Sequence, residues 1–136
     1  MSRSPSRHPT ELELEILKVL WRDGPLSVRQ VRDALAPTRD LAYTSVMTVL
    51  GILAGKGYVT RTMRDGRHVY RPKVAERAVS RRMLGDLVDR VFDGSAAAVL
   101  VNLIETSDLD PEEIRRIREI IDRKVKEGRK AKEEKP

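Results

Sequence analysis

Residues 44–57 read TSVMTVLGILAGKG, and this stretch decides how the chain is read. Val46, Val49, Leu50 and Leu53 recur at i, i+3, i+4 and i+7, so one face of a helix is apolar. The opposite face carries Thr44, Thr48, Gly51 and Gly55. A solvated face normally carries Lys, Glu and Gln, and a mid-helix Gly costs about 1 kcal/mol relative to Ala. A face stripped of long side chains suits close approach of another body. On this helix alone, that body is either a nucleic-acid groove or a second helix packed against Gly51 and Gly55.

Working outward from this helix settles much of the choice. Upstream, Thr10 followed by Glu13 is a capping-box pattern, and the spacing predicts a first helix to about Trp21, with Leu14, Leu17 and Trp21 on one stripe and Ile16 and Leu20 beside it. Gly24-Pro25 ends it. Ser27 followed by Gln30 starts a second helix that buries Val28, Val31 and Leu35 and stops at Pro37. The polar link TRD leads to Asp40 or Ala42, the start of the third helix, and Gly57 fits its C-terminal cap. Downstream, YVTRTMRDGRHVYRP (58–72) places Asp65-Gly66 between two β-forming runs, a strong hairpin signal. Three helices and a hairpin within about 65 residues, with a short turn between the second and third helices, make a winged helix-turn-helix.

In that fold the third helix enters the major groove, where small and hydroxyl side chains let the backbone approach base edges. Thr44, Ser45 and Thr48 offer hydrogen bonds or methyl groups, and Met47 an apolar contact. Arg39 and Tyr43, near the helix N-terminus, are candidates for phosphate contact. Arg61, Arg64, Arg67 and His68 concentrate positive charge on the hairpin, suited to flanking phosphates or a narrow minor groove. His68 alone reads as an ordinary surface residue, and Trp21 as core.

Charge agrees with this reading. The 136-residue chain has a formal net charge of +6, of which residues 1–72 carry +5 and residues 73–136 carry +1. A basic half joined to a near-neutral half suggests a polyanion-binding module plus a second element. There is no cysteine, which excludes disulfides, thiolate metal sites and thiol nucleophiles and fits a reducing cytoplasm. The longest apolar run, AAAVLV (96–101), is too short to span a bilayer, and MSRSPSRHPT has no apolar stretch of a secretory signal. No catalytic triad, paired-carboxylate site, phosphate loop or metal-ligand cluster is present, so an enzyme and a bound cofactor or metal are not expected. The competing reading is a winged helix that binds protein without sequence-specific DNA binding; acidic or apolar residues on the third helix and wing would favour it, and arginines and hydroxyls do not.

The second half reads as three more helices. The fourth spans about 74–92, with Leu84, Leu87, Val88 and Val91 on one stripe, and Asp93-Gly94 breaks it. Ser95 caps a fifth helix carrying Ala96, Val99, Leu100, Leu103 and Ile104. Asp110, Pro111 and Glu113 open a sixth that aligns Ile114, Ile117, Ile121 and Val125. Phe92 is the only large aromatic here. Such stripes bury little in one chain, so they are expected to meet a second copy, and a two-fold dimer would double the contacts on an inverted repeat. The alternative is a helical subdomain packed on the winged helix of the same chain. The expected organisation is a disordered tail at 1–9, a winged-helix domain at 10–73, a helical dimerisation domain at 74–127 and a charged disordered tail at 128–136.

With these residues in hand, the chain resembles the penicillinase repressor family of bacterial winged-helix transcriptional repressors, the BlaI/MecI type. ELEILKVLWRDGPLSVRQVRDAL (13–35), DLAYTSVMTVLGILAGKGYVTR (40–61) and DGRHVYRP (65–72) carry the likeness, and LVNLIETSDLDPEEIRRIREII (100–121) resembles the family's dimerisation segment. The resemblance implies a homodimer on a dyad operator that blocks transcription of β-lactam-resistance genes. It implies release when a membrane sensor protease leads to cleavage at an Asn-Phe bond in the fifth helix. The matching bond here is Asn102-Leu103, with Leu in place of Phe. Gly51 also departs from the longer polar residue expected in relatives. A sister branch that senses copper uses a cysteine cluster, which this chain lacks.

Overall fold

The structure is a computed structural model that describes residues 8–134. Nine elements follow in order: α1 (Glu11–Asp23), β1 (Leu26–Ser27), α2 (Val28–Leu35), α3 (Tyr43–Gly55), β2 (Val59–Arg64), β3 (Arg67–Pro72), α4 (Glu76–Val91), α5 (Ala96–Thr106) and α6 (Pro111–Glu134). The chain is mainly helical, with a small three-stranded antiparallel sheet ordered β1-β3-β2. It divides into two compact units, 1–87 and 88–136.

In the first unit local signals start and stop the elements as the sequence predicts. Thr10 Oγ1 accepts from the Glu13 amide at 3.2 Å, and the Glu13 carboxylate accepts from the Thr10 amide, a reciprocal capping box. Ser27 and Gln30 repeat the device at α2. α3 begins after Ala42, which provides no side-chain cap, and ends before Gly57, whose φ of 84° is the left-handed turn of a helix exit. The hairpin turns on Asp65 and Gly66, both at positive φ (52° and 77°), the geometry of a two-residue turn that matches strand twist. Register runs from Val59 opposite Pro72 to Arg64 opposite Arg67.

β1 was not expected. Its two residues pair with Tyr70 and Val69 of β3 and tie the start of α2 to the wing. The core draws Ile16, Leu17 and Leu20 from α1, Val31 and Leu35 from α2, Val46, Leu50 and Leu53 from α3, Tyr58, Val59 and Tyr70 from around the sheet, and Val79 from α4. Trp21 packs at its edge, and its indole Nε1 donates to the Val74 carbonyl at 2.9 Å.

Three expected boundaries are corrected. The first half of α4 belongs to the winged-helix unit, because Val79 is buried there and Val74 and Met83 pack against the same core; the division falls at Leu87–Val88 instead of at 73. At the amino end, Pro9 is buried and His8 lies 3.4 Å from Asp86, so the expected disordered tail does not include these two residues; residues 1–7 lie outside the described residues. At the other end α6 continues to Glu134 where a disordered tail was expected from 128, because Lys, Glu, Arg and Ala all favour extending a helix already formed. Residues 135 and 136 of that tail lie outside the described residues.

The second unit is built from the last turn of α4, α5 and α6. Positive φ at Asp93 and Gly94 (50° and 80°) breaks α4. Ser95 Oγ caps α5 through the Ala98 amide at 3.1 Å, and Asp110 Oδ1 caps α6 through the Glu113 amide at 2.8 Å. Among its described residues only Val99 is buried, and α6 buries nothing. No helix among the described residues is long and apolar enough to cross a membrane.

Candidate nucleic-acid interface

The apolar stripe of α3 faces inward: Val46, Leu50 and Leu53 are fully buried. The opposite face is open. Thr44, Ser45, Thr48, Gly51 and Gly55 are exposed, as are Tyr43 and Met47. A Cβ placed on Gly51 or Gly55 would meet nothing within 4 Å. Within the single chain, therefore, no neighbouring helix packs against these glycines. Thr48 Oγ1 donates to the Thr44 carbonyl at 2.9 Å, so its proton is committed to its own helix while its oxygen and methyl group stay available.

The wing divides its charges between two faces. Directly paired residues share a face, and neighbours along a strand alternate. Arg61 opposes the buried Tyr70 and Met63 opposes His68, which sets these residues on the face that turns toward α3. Arg64 and Arg67 oppose one another on the other face. A cleft of about 470 Å³ brings together Tyr43 and Met47 of α3, Ser27, Val28 and Arg29 at the start of α2, and Arg61, Gly66, Arg67, His68 and Tyr70 of the wing. A second cleft of about 490 Å³ on the outer side holds Arg29, Gln30, Asp33, Arg64, Asp65 and Arg67 among its walls. Tyr43, Met47, Arg61 and His68 thus lie on one concave surface, and Arg67, beside the hairpin turn, lines both clefts. Thr44, Ser45 and Thr48 lie outside that cleft, on the exposed part of α3. Arg64 sits in the outer cleft.

Arg29 lines both clefts and was not singled out from sequence. Its period relative to Val28, Val31 and Leu35 marks it as outward, but its closeness to the wing is set by the β1–β3 pairing. Met63, 62% exposed on the wing, was also missed. Arg39 departs from expectation in the other direction. Its Nε lies 2.5 Å from Glu15 and its terminal nitrogen 3.9 Å from Glu11, so α1 holds the side chain that was expected at a phosphate.

Besides the core contacts of Val46, Leu50 and Leu53, an ion pair links α3 to α1. Lys56, at the end of α3, donates to both oxygens of Glu13 at 2.7 and 3.2 Å. Glu13 is 4% exposed and also serves the α1 capping box, so one carboxylate ties the start of α1 to the exit of α3. Away from this surface, the Arg22 guanidinium hydrogen-bonds Asp23 and holds its carboxyl below the usual range. Among the described residues no group of His, Asp and Glu is placed to hold a metal ion.

In the second unit most of the expected dimer residues are uncovered. Leu100, Leu103, Ile104, Ile114, Ile121 and Val125 are exposed, as is Val91; Val88 and Ile117 are half-buried, and Leu84 and Leu87, on the α4 segment of the first unit, are also exposed. Val99 is the correction, since it is buried already within the single chain. Asn102 and Leu103 are exposed on α5, and the Asn102 amide side chain donates to the Ala98 carbonyl at 3.3 Å.

The penicillinase repressor family model matches residues 9–123, most of the chain. The chain belongs to that family. A transcriptional regulator BlaI of Mycobacterium tuberculosis is 40% identical over 102 residues, 74% of this chain and 74% of the relative. The penicillinase repressor of Bacillus licheniformis is 24% identical over 113 residues, 83% of this chain and 88% of the relative. Among solved structures, the Bacillus licheniformis BlaI monomer in complex with the blaP half-operator is 26% identical, with a TM-score of 0.45, covering 56% of this chain and 90% of that one. Within the family match lie the whole of α3, the wing and both clefts, whereas the end of α6 lies beyond it.

Proposed function

We propose that this penicillinase repressor family member binds DNA as a homodimer and represses transcription from an inverted-repeat operator. The observation that carries the reading is the exposed hydroxyl-and-glycine face of α3 beside an arginine-bearing wing. In this reading Thr44, Ser45, Met47 and Thr48 meet base edges, while Tyr43, Arg29, Arg61, Arg64, Arg67 and His68 hold the phosphates on either side. Arg39 supports the approach indirectly by bracing the loop before α3 against α1.

The uncovered stripes of α4, α5 and α6 are the dimer surface. Two copies related by a two-fold axis set half-sites about 10 bp apart, or a multiple of this. Release follows from loss of that surface. Cutting Asn102–Leu103 separates α6 from the winged helix, and α5 is a short helix with one buried residue, so it opens locally at low cost. β-Lactam-resistance genes in the cytoplasm of a bacterium, with a membrane sensor protease as the source of the cut, are the regulon this family membership supports. Against the competing protein-binding reading stands the lining of the cleft beside α3, which carries Arg29, Arg61 and Arg67 and no acidic residue.

Selection of bound duplexes from a random pool tests the proposal. The expected result is a two-fold repeat, bound by two chains. Enrichment of no sequence, or of an unrepeated site bound by one chain, contradicts it.

A further inference from the structure

α6 runs on past the family match at residue 123, and past the last residue of its apolar stripe, Val125. It is therefore a helix with nothing apolar to bury over its final turns. What those turns carry is charge. Between 124 and the helix end at Glu134 there are five cations, Lys124, Lys126, Arg129, Lys130 and Lys132, against three acids, Glu127 and the terminal Glu133 and Glu134. At 100° per residue, Arg123, Lys126 and Lys130 fall at i, i+3 and i+7, one row, with Arg129 beside it. That row lies on the side of the helix opposite Ile117, Ile121 and Val125. All four are exposed, and none is in an ion pair in the described structure. Earlier in the helix the balance differs: Arg115 pairs with Glu112, and Arg116 and Arg118 alternate with Glu113, Glu119 and Asp122. The change from balanced to net positive charge coincides with the end of the apolar stripe.

We infer that the carboxy-terminal turns of α6 are a sequence-independent contact for the phosphate backbone of duplex DNA, separate from the winged-helix surface. This rests on the proposed function only in that the occupant is DNA. The chemistry is one of charge and counterion release: lysines and arginines on an exposed row gain from meeting a dense line of phosphates and read no bases. The apolar face of the same helix remains for the dimer, so each copy would present a basic row on the outside of the pair.

The test uses the full chain and a variant with Lys126→Gln, Arg129→Gln and Lys130→Gln, since Gln preserves helix propensity. Binding to a 60-bp duplex of scrambled sequence is followed by fluorescence anisotropy across a salt titration. Ultracentrifugation and circular dichroism first establish that the variant keeps the association state and helix content of the parent. The expected result is a slope of log K against log salt that is shallower by about two to three units per chain in the variant, with tenfold or greater loss of affinity near 0.1 M salt. Equal slopes overturn the inference, and so does retention of duplex binding together with loss of binding to vesicles rich in anionic lipid, which would make the row a membrane contact. The selected operator, bound by the variant with unchanged sequence preference, shows that the winged-helix reading stands whichever way the slope falls.

Discussion

The two units solve the same problem of apolar burial in opposite ways. The winged helix closes its own core: Ile16, Leu17, Leu20, Val31, Val46, Leu50 and Leu53 are all fully buried in a single chain. In the second unit, stripes of similar apolar content leave Leu100, Leu103, Ile104, Ile114 and Ile121 between 42% and 53% exposed. Helices draw most of their stability from packing an apolar face, so these stripes leave that stabilisation unrealised within the single chain. A self-sufficient unit can present a rigid surface to a ligand, while the second unit has apolar surface left to bury, and the proposed dimer rests on that difference.

The largest effects should separate the units. Leu50→Ala, which opens a cavity in the closed core, is expected to cost about 2–5 kcal/mol in denaturant unfolding of the first unit. Ile121→Asp should leave that transition in place yet shift the chain to monomer in ultracentrifugation, because a charge on an exposed stripe hurts only when a partner arrives. If Ile121→Asp unfolds the first unit or leaves a dimer intact, the comparison fails.

The next effect concerns the strut between α1 and α3. Lys56→Met leaves the Glu13 carboxylate buried without its cation and should cost about 3 kcal/mol, measured by thermal melting. The double replacement Glu13→Met with Lys56→Met should recover much of that loss. Recovery of stability without recovery of operator preference would assign the pair to aiming α3; recovery of both would leave it a structural pair only.

Smaller still are single contacts on the exposed surface. Thr48→Ala is expected to weaken binding to the selected operator by about 1–3 kcal/mol with little change on scrambled duplex. Arg67→Ala should weaken both and reduce the salt slope by about one unit. Competition assays at two salt concentrations distinguish these outcomes, and identical behaviour of the two variants would remove the distinction between reading and holding.

What was legible in the sequence was local. Thr10 with Glu13 and Ser27 with Gln30 form the boxes their spacing announces, Asp65-Gly66 turns the hairpin, and the 3.6-residue period of Val46, Leu50 and Leu53 places the core side of α3. What escaped depends on residues distant in the chain. β1 is two residues long and exists only because Leu26 meets Tyr70. Arg39, a phosphate candidate by its place before α3, lies 2.5 Å from Glu15 on another helix. Arg29 gained its place from the same β1 pairing. The end of α6 is as charged as a frayed tail, yet a helix already nucleated extends through Lys, Glu and Arg with little resistance.

The central claim is that the bare face of α3 lies against DNA, and Gly51→Gln tests it most directly. The site has open space in the free chain, so Gln should raise helix stability by roughly 0.5–1 kcal/mol and raise Tm. The account predicts that the same change costs tenfold or more in preference for the selected operator over scrambled duplex. A stabilised protein with its operator preference intact would mean that this face meets water and nothing else.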